Sequence, residues 1–317
     1  MEKEMIYKSR GFSSCINSAY HLMSDNMKGI FRSTWLPALL VSLLAGIVVI
    51  LYIPNEDVFA FALSNKGLYF TLLGVCLLGI VVCSIWLVSR LMSMLNGLPR
   101  GWNFKRVLLT TIYMAVIETL VAIVILAAFM LALRTTGGTP PKFIQDNWLV
   151  VLVVLVLVFL ALLPFNYIVM RYLYDKDASF WGDLPKTYAK GLRHLGFIFI
   201  TTLLTSIIVG VVAMVAYIPL GILNITNVLS IVGKQMGDPA TLPGYFLPLF
   251  FFTTVLVVMV LQYIYMFPTV VYLFIYGSIE KGEEERRHME VTPNDGFPST
   301  DPFHNDTDPH LPLQQLS

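Results

Sequence analysis

Six apolar blocks, each long enough to cross a bilayer, decide what this chain can fold into. A spanning helix needs about 20 predominantly apolar residues to bridge a hydrocarbon core of about 30 Å. The blocks cover residues 36–53, 68–95, 107–133, 148–172, 195–223 and 245–276. In lipid, a lone segment must pair its own backbone N–H and C=O groups, and only a helix does so. The β-branched run at 150–158 is therefore expected to be helical. The predicted fold class is all-α: a polytopic membrane helical bundle of six transmembrane helices, arranged as three repeated hairpins with cytoplasmic amphipathic helices.

Composition agrees. The 317 residues are 56% hydrophobic and 13% charged, against about 25% charged in a typical soluble domain. The net charge of +1 gives no global field for nucleic acid. Cys15, Cys76 and Cys83 form no CxxC pair and are expected to be packing residues. His21, His194, His288, His304 and His310 show no ligand spacing. No catalytic, metal or cofactor-binding motif is present, and no cofactor is expected. Gly137-Gly138 with Pro140-Pro141 marks an exterior turn. The first apolar block begins near Leu36, behind a charged leader, too late for a cleavable signal peptide.

Lys and Arg orient the spans. Seventeen lie in the leader, in the connections after the second and fourth spans, and in the tail. Four (Lys66, Arg134, Lys142 and Lys234) lie on the other side. This places both termini in the cytoplasm and suits a bacterial inner membrane. Residues 1–34 are expected to form an amphipathic cytoplasmic leader, 35–278 the transmembrane domain, and 279–317 a flexible cytoplasmic tail.

Two basic-side stretches are amphipathic at helical spacing. Residues 12–33 align Phe12, Ile16, Tyr20, Met23, Met27 and Phe31. Residues 179–194 align Phe180, Trp181, Leu184, Tyr188 and Leu192 against Asp183, Lys186, Lys190 and Arg193. A shorter one, 98–104, is broken by Pro99 and Gly101. Each precedes a pair of spans, so the chain reads as three units of roughly a hundred residues, interfacial segment, span out, span back. Pro164-Phe165-Asn166-Tyr167 and Pro268-Thr269-Val270-Val271 occupy matching places in the second and third units.

Three stretches carry a resemblance: the leader entering Trp35-Leu36-Pro37; Pro164 to Tyr174 with the following 180–193 segment; and Pro268 to Gly277 with Glu280 and the charged run 283–287. On these the chain resembles a group of six-span bacterial membrane proteins. The group includes the membrane domain attached to some glycerophosphodiester phosphodiesterases and related families of unknown function. The resemblance implies architecture and no activity, because the soluble phosphodiesterase domain is absent.

Glu118 is the single acidic residue inside a predicted span, near mid-depth, and an intramembrane carboxylate is a functional-site hypothesis by default. It stands either as a proton or cation site or as a neutral, hydrogen-bonded packing residue. Asn166 and Gln262 complete the candidate intramembrane polar site. Arg90, Arg171, Lys186, Lys190 and Arg193 are candidate lipid head-group contacts. For Arg90 and Arg171, snorkelling to phosphate and pairing with Glu118 both remain open. The expected role is non-enzymatic: an integral membrane protein that organises the bilayer or binds a partner. The alternative is a small transporter or channel component using Glu118. The expected partners are membrane lipids, with a membrane or cytoplasmic protein left open, and no nucleic acid.

Overall fold

The computed structural model describes residues 6–52, 63–136, 145–237 and 242–291, and among them every regular element is an α-helix. They are α1 Phe12–Asp25, α2 Met27–Tyr52, α3 Lys66–Asn96, α4 Arg100–Thr136, α5 Trp148–Tyr174, α6 Leu184–Arg193, α7 Leu195–Gln235 and α8 Phe246–Val291. Six of them (α2, α3, α4, α5, α7 and α8) are long and apolar enough to span a membrane. The chain is thus an integral membrane protein, a polytopic helical bundle. The Gly137-Gly138 and Pro140-Pro141 turn, and the tail beyond residue 291 with His304 and His310, lie outside the described residues.

Local chemistry sets the breaks. The leader helix does not run unbroken from 12 to 33: Asn26 ends α1, its backbone N–H and its side-chain Nδ2 both donating to the Leu22 carbonyl. Gly97 ends α3 in the left-handed region at φ 68°, where a Cβ would be strained. Pro185 sits in the first turn of α6, where its missing N–H costs nothing. The 98–104 stretch forms no separate interfacial helix, because α4 already begins at Arg100. Residues 279–287, expected in the tail, continue α8.

Helices α2 and α3 pack as one hairpin and α7 and α8 as another, with α8 also lying along α2. The α4–α5 hairpin is joined more loosely. The main core sits at the end of the bundle that carries the leader, called here the proximal end. It gathers α1, α3, α5, α7 and α8 around Leu91, Met92, Tyr167, Phe274 and Tyr276. A small distal cluster contains Leu220, Phe246, Phe250 and Val257. Three buried hydroxyls within the spans bond to their own helix: Thr34 to the Ile30 carbonyl at 2.7 Å, Ser42 to Ala38 at 2.8 Å and Thr205 to Thr201 at 2.7 Å. They enter an apolar medium without orphaned donors.

Of the apolar stripe predicted over 12–33, Met23 is buried and Ile16 half-buried, and the remainder is exposed on α1 and the first turns of α2. Cys15, Ala19, Leu22 and Met23 are buried, whereas Phe12, Tyr20, Met27 and Phe31 are exposed. Cys15 and Ala19, both small and fully buried, allow close approach where α1 packs along α8, and the exposed aromatics leave amphipathic surface for the interface. Burial pushes the Cys15 thiol up to about 11.

Candidate functional site at the proximal end

The three intramembrane polar residues are not joined. Glu118 lies on an exposed face of α4, a helix whose most apolar stretch has no buried residue. Asn166 and Gln262 are half-buried on α5 and α8. No hydrogen bond or ion pair links Glu118, Asn166 and Gln262 to one another among the described residues. Arg90 and Arg171 do not reach Glu118 either: Arg90 lies over the Trp86 ring, and Arg171 bonds to α6 and the segment before it.

Polar side chains converge instead at the proximal end, where α6 is fastened across α5 and α8. Gly191 makes this possible: a Cβ there would stand 2.9 Å from the Pro164 Cβ. Near the proline, where the helix ladder of α5 is interrupted, the Tyr188 hydroxyl donates to the Ala161 carbonyl at 3.0 Å. Arg171 donates to the Thr187 hydroxyl and pairs with Asp183 at 3.5 Å.

On the other side, Lys190 bridges Glu280 and Glu283 of α8, at 2.9 Å each. His194 approaches Glu283 at 3.3 Å, and the Tyr167 hydroxyl donates to Glu280. One lysine between two carboxylates leaves this trio with a formal charge of −1, and the His194 imidazole lies at its edge. Glu280 and Glu283 lie one helical turn apart and so share a face of α8. Their partners are about 90 to 110 residues distant in the chain, which no local spacing announces.

Behind this network lies a cluster of tyrosines. Tyr167 and Tyr276 have ring centroids 5.7 Å apart; Tyr7 and Tyr174 sit 6.1 and 6.3 Å from Tyr276. The leader closes over it. Arg10 and Ser278 exchange two hydrogen bonds of 2.9 Å, backbone N–H to hydroxyl and hydroxyl to backbone carbonyl. Gly277 admits the strap, since a Cβ there would collide with the Ile6 backbone. Burial raises the Tyr7 hydroxyl above its ordinary value and lowers the Arg10 guanidinium below its own.

Two further devices tie α4 to this end. Arg106 is held between the Trp102 and Tyr172 rings, 4.3 Å from each centroid, and donates to the carbonyls of Tyr172, Asp175 and Lys176. A cation there satisfies acceptors that the C-terminus of α5 leaves unpaired. Asn96 and Asn103 exchange amide hydrogen bonds of 2.7 and 3.1 Å, and Asn103 also donates to the Ser93 hydroxyl at 3.0 Å.

Of the five predicted head-group cations, Arg171 and Lys190 are engaged within the protein, Lys186 and Arg193 are exposed, and Arg90 is half-buried. Sequence reading missed Glu280, Glu283 and Tyr167 as a connected set, and missed Arg106 as the cation at the end of α5. Among the described residues, no group of three or more His, Cys, Asp or Glu is placed to hold a metal ion. No family model, curated protein or solved structure matches the chain, so these comparisons add no support to the resemblance drawn from Trp35-Leu36-Pro37 and the two proline-led stretches.

Proposed function

We propose that this protein is a non-enzymatic organiser of the membrane interface, with its proximal end in the cytoplasm holding lipid head groups or a partner protein. One observation carries the reading: α6 is bolted to the bundle through Arg171, Tyr188 and Lys190, while Trp181, Lys186, Leu192 and Arg193 stay outward. Trp181 is 50% and Leu192 44% exposed. A rigidly mounted aromatic, aliphatic and basic surface suits an interface that is apolar on one side and anionic on the other. Support for cytoplasmic placement is the excess of Lys and Arg on that side. Behind that surface Lys190, Glu280, Glu283 and His194 are engaged with one another, as expected of a scaffold.

The test is Trp181→Asp with Leu192→Asp, two exposed positions. Protein and lipid recovered with the full chain in mild detergent are identified by mass spectrometry. Loss of bound species at unchanged thermal stability supports the proposal; an unchanged inventory defeats it. The transport alternative rests on the mid-span carboxylate of Glu118. It requires that Glu118→Gln abolish a pH-dependent flux in proteoliposomes, and equal flux in both proteins would remove it.

A further inference from the structure

We propose that the groove between α3 and α4 at the proximal end binds one anionic phospholipid, with its phosphate between Arg90 and Arg100 and one acyl chain running down α3. This site is separate from the α6 surface and does not depend on that surface docking anything.

The groove has a volume of about 450 Å³ and is walled by Val82, Trp86 and Phe104, with Ser89, Arg90 and Arg100 at its polar end. The Ser89 hydroxyl donates to the Arg100 backbone carbonyl at 3.4 Å, which fixes the start of α4 beside the turn that carries Arg90. No carboxylate lines the groove, so its two guanidiniums face an uncompensated site.

Arg90 differs from the other arginines at this end. Arg106 donates to three carbonyls and Arg171 to a hydroxyl and a carboxylate. The Nε of Arg90 is sealed from solvent with no hydrogen-bond partner among the described residues. Its guanidinium lies 5.6 Å over the Trp86 ring. No hydrogen bond or ion pair engages this guanidinium among the described residues, and a charged donor without an acceptor is costly. With the Nε sealed, its terminal nitrogens are the ones a ligand in the groove would meet. A phosphate oxygen is the acceptor that matches a guanidinium best.

Depth selects a lipid over a soluble phosphate. Arg90 lies six residues before the end of α3 at Asn96, roughly 9 Å below that end at the rise of an α-helix. Below it, Val82, Leu78 and Val75 follow on one stripe of α3 and are 48%, 66% and 61% exposed. Head group and chain therefore meet cation and apolar stripe in the right order. A zwitterionic lipid would set its ammonium group near two guanidiniums with no carboxylate to receive it.

The full-length protein in mild detergent is offered equal phosphatidylglycerol and phosphatidylcholine, and retained lipid is counted by native mass spectrometry. The wild type should keep one phosphatidylglycerol. Arg90→Gln with Arg100→Gln should lower retention about tenfold or more, the scale of one lost charge-assisted contact. Val82→Trp, which fills the apolar part and keeps both arginines, should lower it similarly. Arg100→Gln alone, at an exposed position, keeps the test valid should the Arg90 change impair assembly. Lys28→Gln with Lys105→Gln, removing two exposed charges from the same end, should leave retention unchanged. Four results overturn the proposal: equal loss in the Lys28 and Lys105 variant, equal retention of phosphatidylcholine, insensitivity to Val82→Trp, or binding of inorganic phosphate without retained lipid.

Discussion

The proximal end and the distal half of the α4–α5 hairpin share two helices, α4 and α5, and are held by different physics. At the proximal end, Arg106, Asn96, Asn103, Tyr167, Lys190 and Glu280 are all fixed by specific partners. Along the distal halves of α4 and α5, Val124, Leu126, Met130, Leu152 and Leu155 all face outward. Lipid solvates such side chains as well as another helix would, so no hydrophobic force draws the two helices together there. Near the interface, helix ends and charges need partners, and the protein supplies them. The contrast places the specific side-chain pairing of these two regions at the proximal end.

Four sets of substitutions can break or sharpen that contrast. The largest effect is expected at Gly277, where any Cβ meets the Ile6 backbone. Gly277→Leu should displace the leader strap and cost about 3 kcal/mol, read as a lowered thermal midpoint in detergent. It should also make the leader susceptible to proteolysis. A wild-type midpoint with a protected leader would show that the strap is incidental.

Next is Arg106→Met, which removes a charged donor from three carbonyls and two aromatic faces. A loss of about 2 kcal/mol is expected, since hydrogen bonds to charged groups contribute roughly 1.5–3. Arg106→Lys should restore little of it, because an ammonium cannot reproduce the planar fork between two rings. Denaturant titration in mixed micelles measures both variants, and full rescue by lysine would refute the capping geometry.

The Lys190 bridge is smaller because it is partly solvated. Lys190→Met should destabilise by about 1 kcal/mol, and adding Glu283→Gln should recover part of that, for a coupling of roughly 0.5–1 kcal/mol. Strict additivity of the two changes would mean that the pair does not interact in solution. The smallest effect is expected distally: Val124→Ala with Leu155→Ala should change stability by less than about 0.5 kcal/mol. A cost near that of a buried leucine would reveal that something other than lipid covers this face.

Much of the architecture was readable from residue order alone. Each of the six apolar blocks falls largely within a long helix, because backbone self-satisfaction in lipid leaves one solution per block. Less of the site was legible. Glu118 stands out in a sequence because it is rare, yet its place on the exposed face of α4 follows from how loosely α4 packs. Glu280 and Glu283 read as part of a charged run after the last span, while their partners Tyr167, Lys190 and His194 lie on α5 and at the far end of α6.

The inward face of α1 shows the same division. Helical periodicity identifies an apolar stripe, but the packing of α1 along α8 decides that Cys15, Ala19, Leu22 and Met23 are buried while Phe12 and Tyr20 are exposed. Hydropathy and charge are properties of single residues summed along a window, so sequence order determined the medium, the helices and the asymmetry of charge between the two sides. Which cation met which carboxylate, which glycine admitted the strap and which arginine kept an unpaired donor depended on distances between segments far apart in the chain, and only tertiary packing decided them.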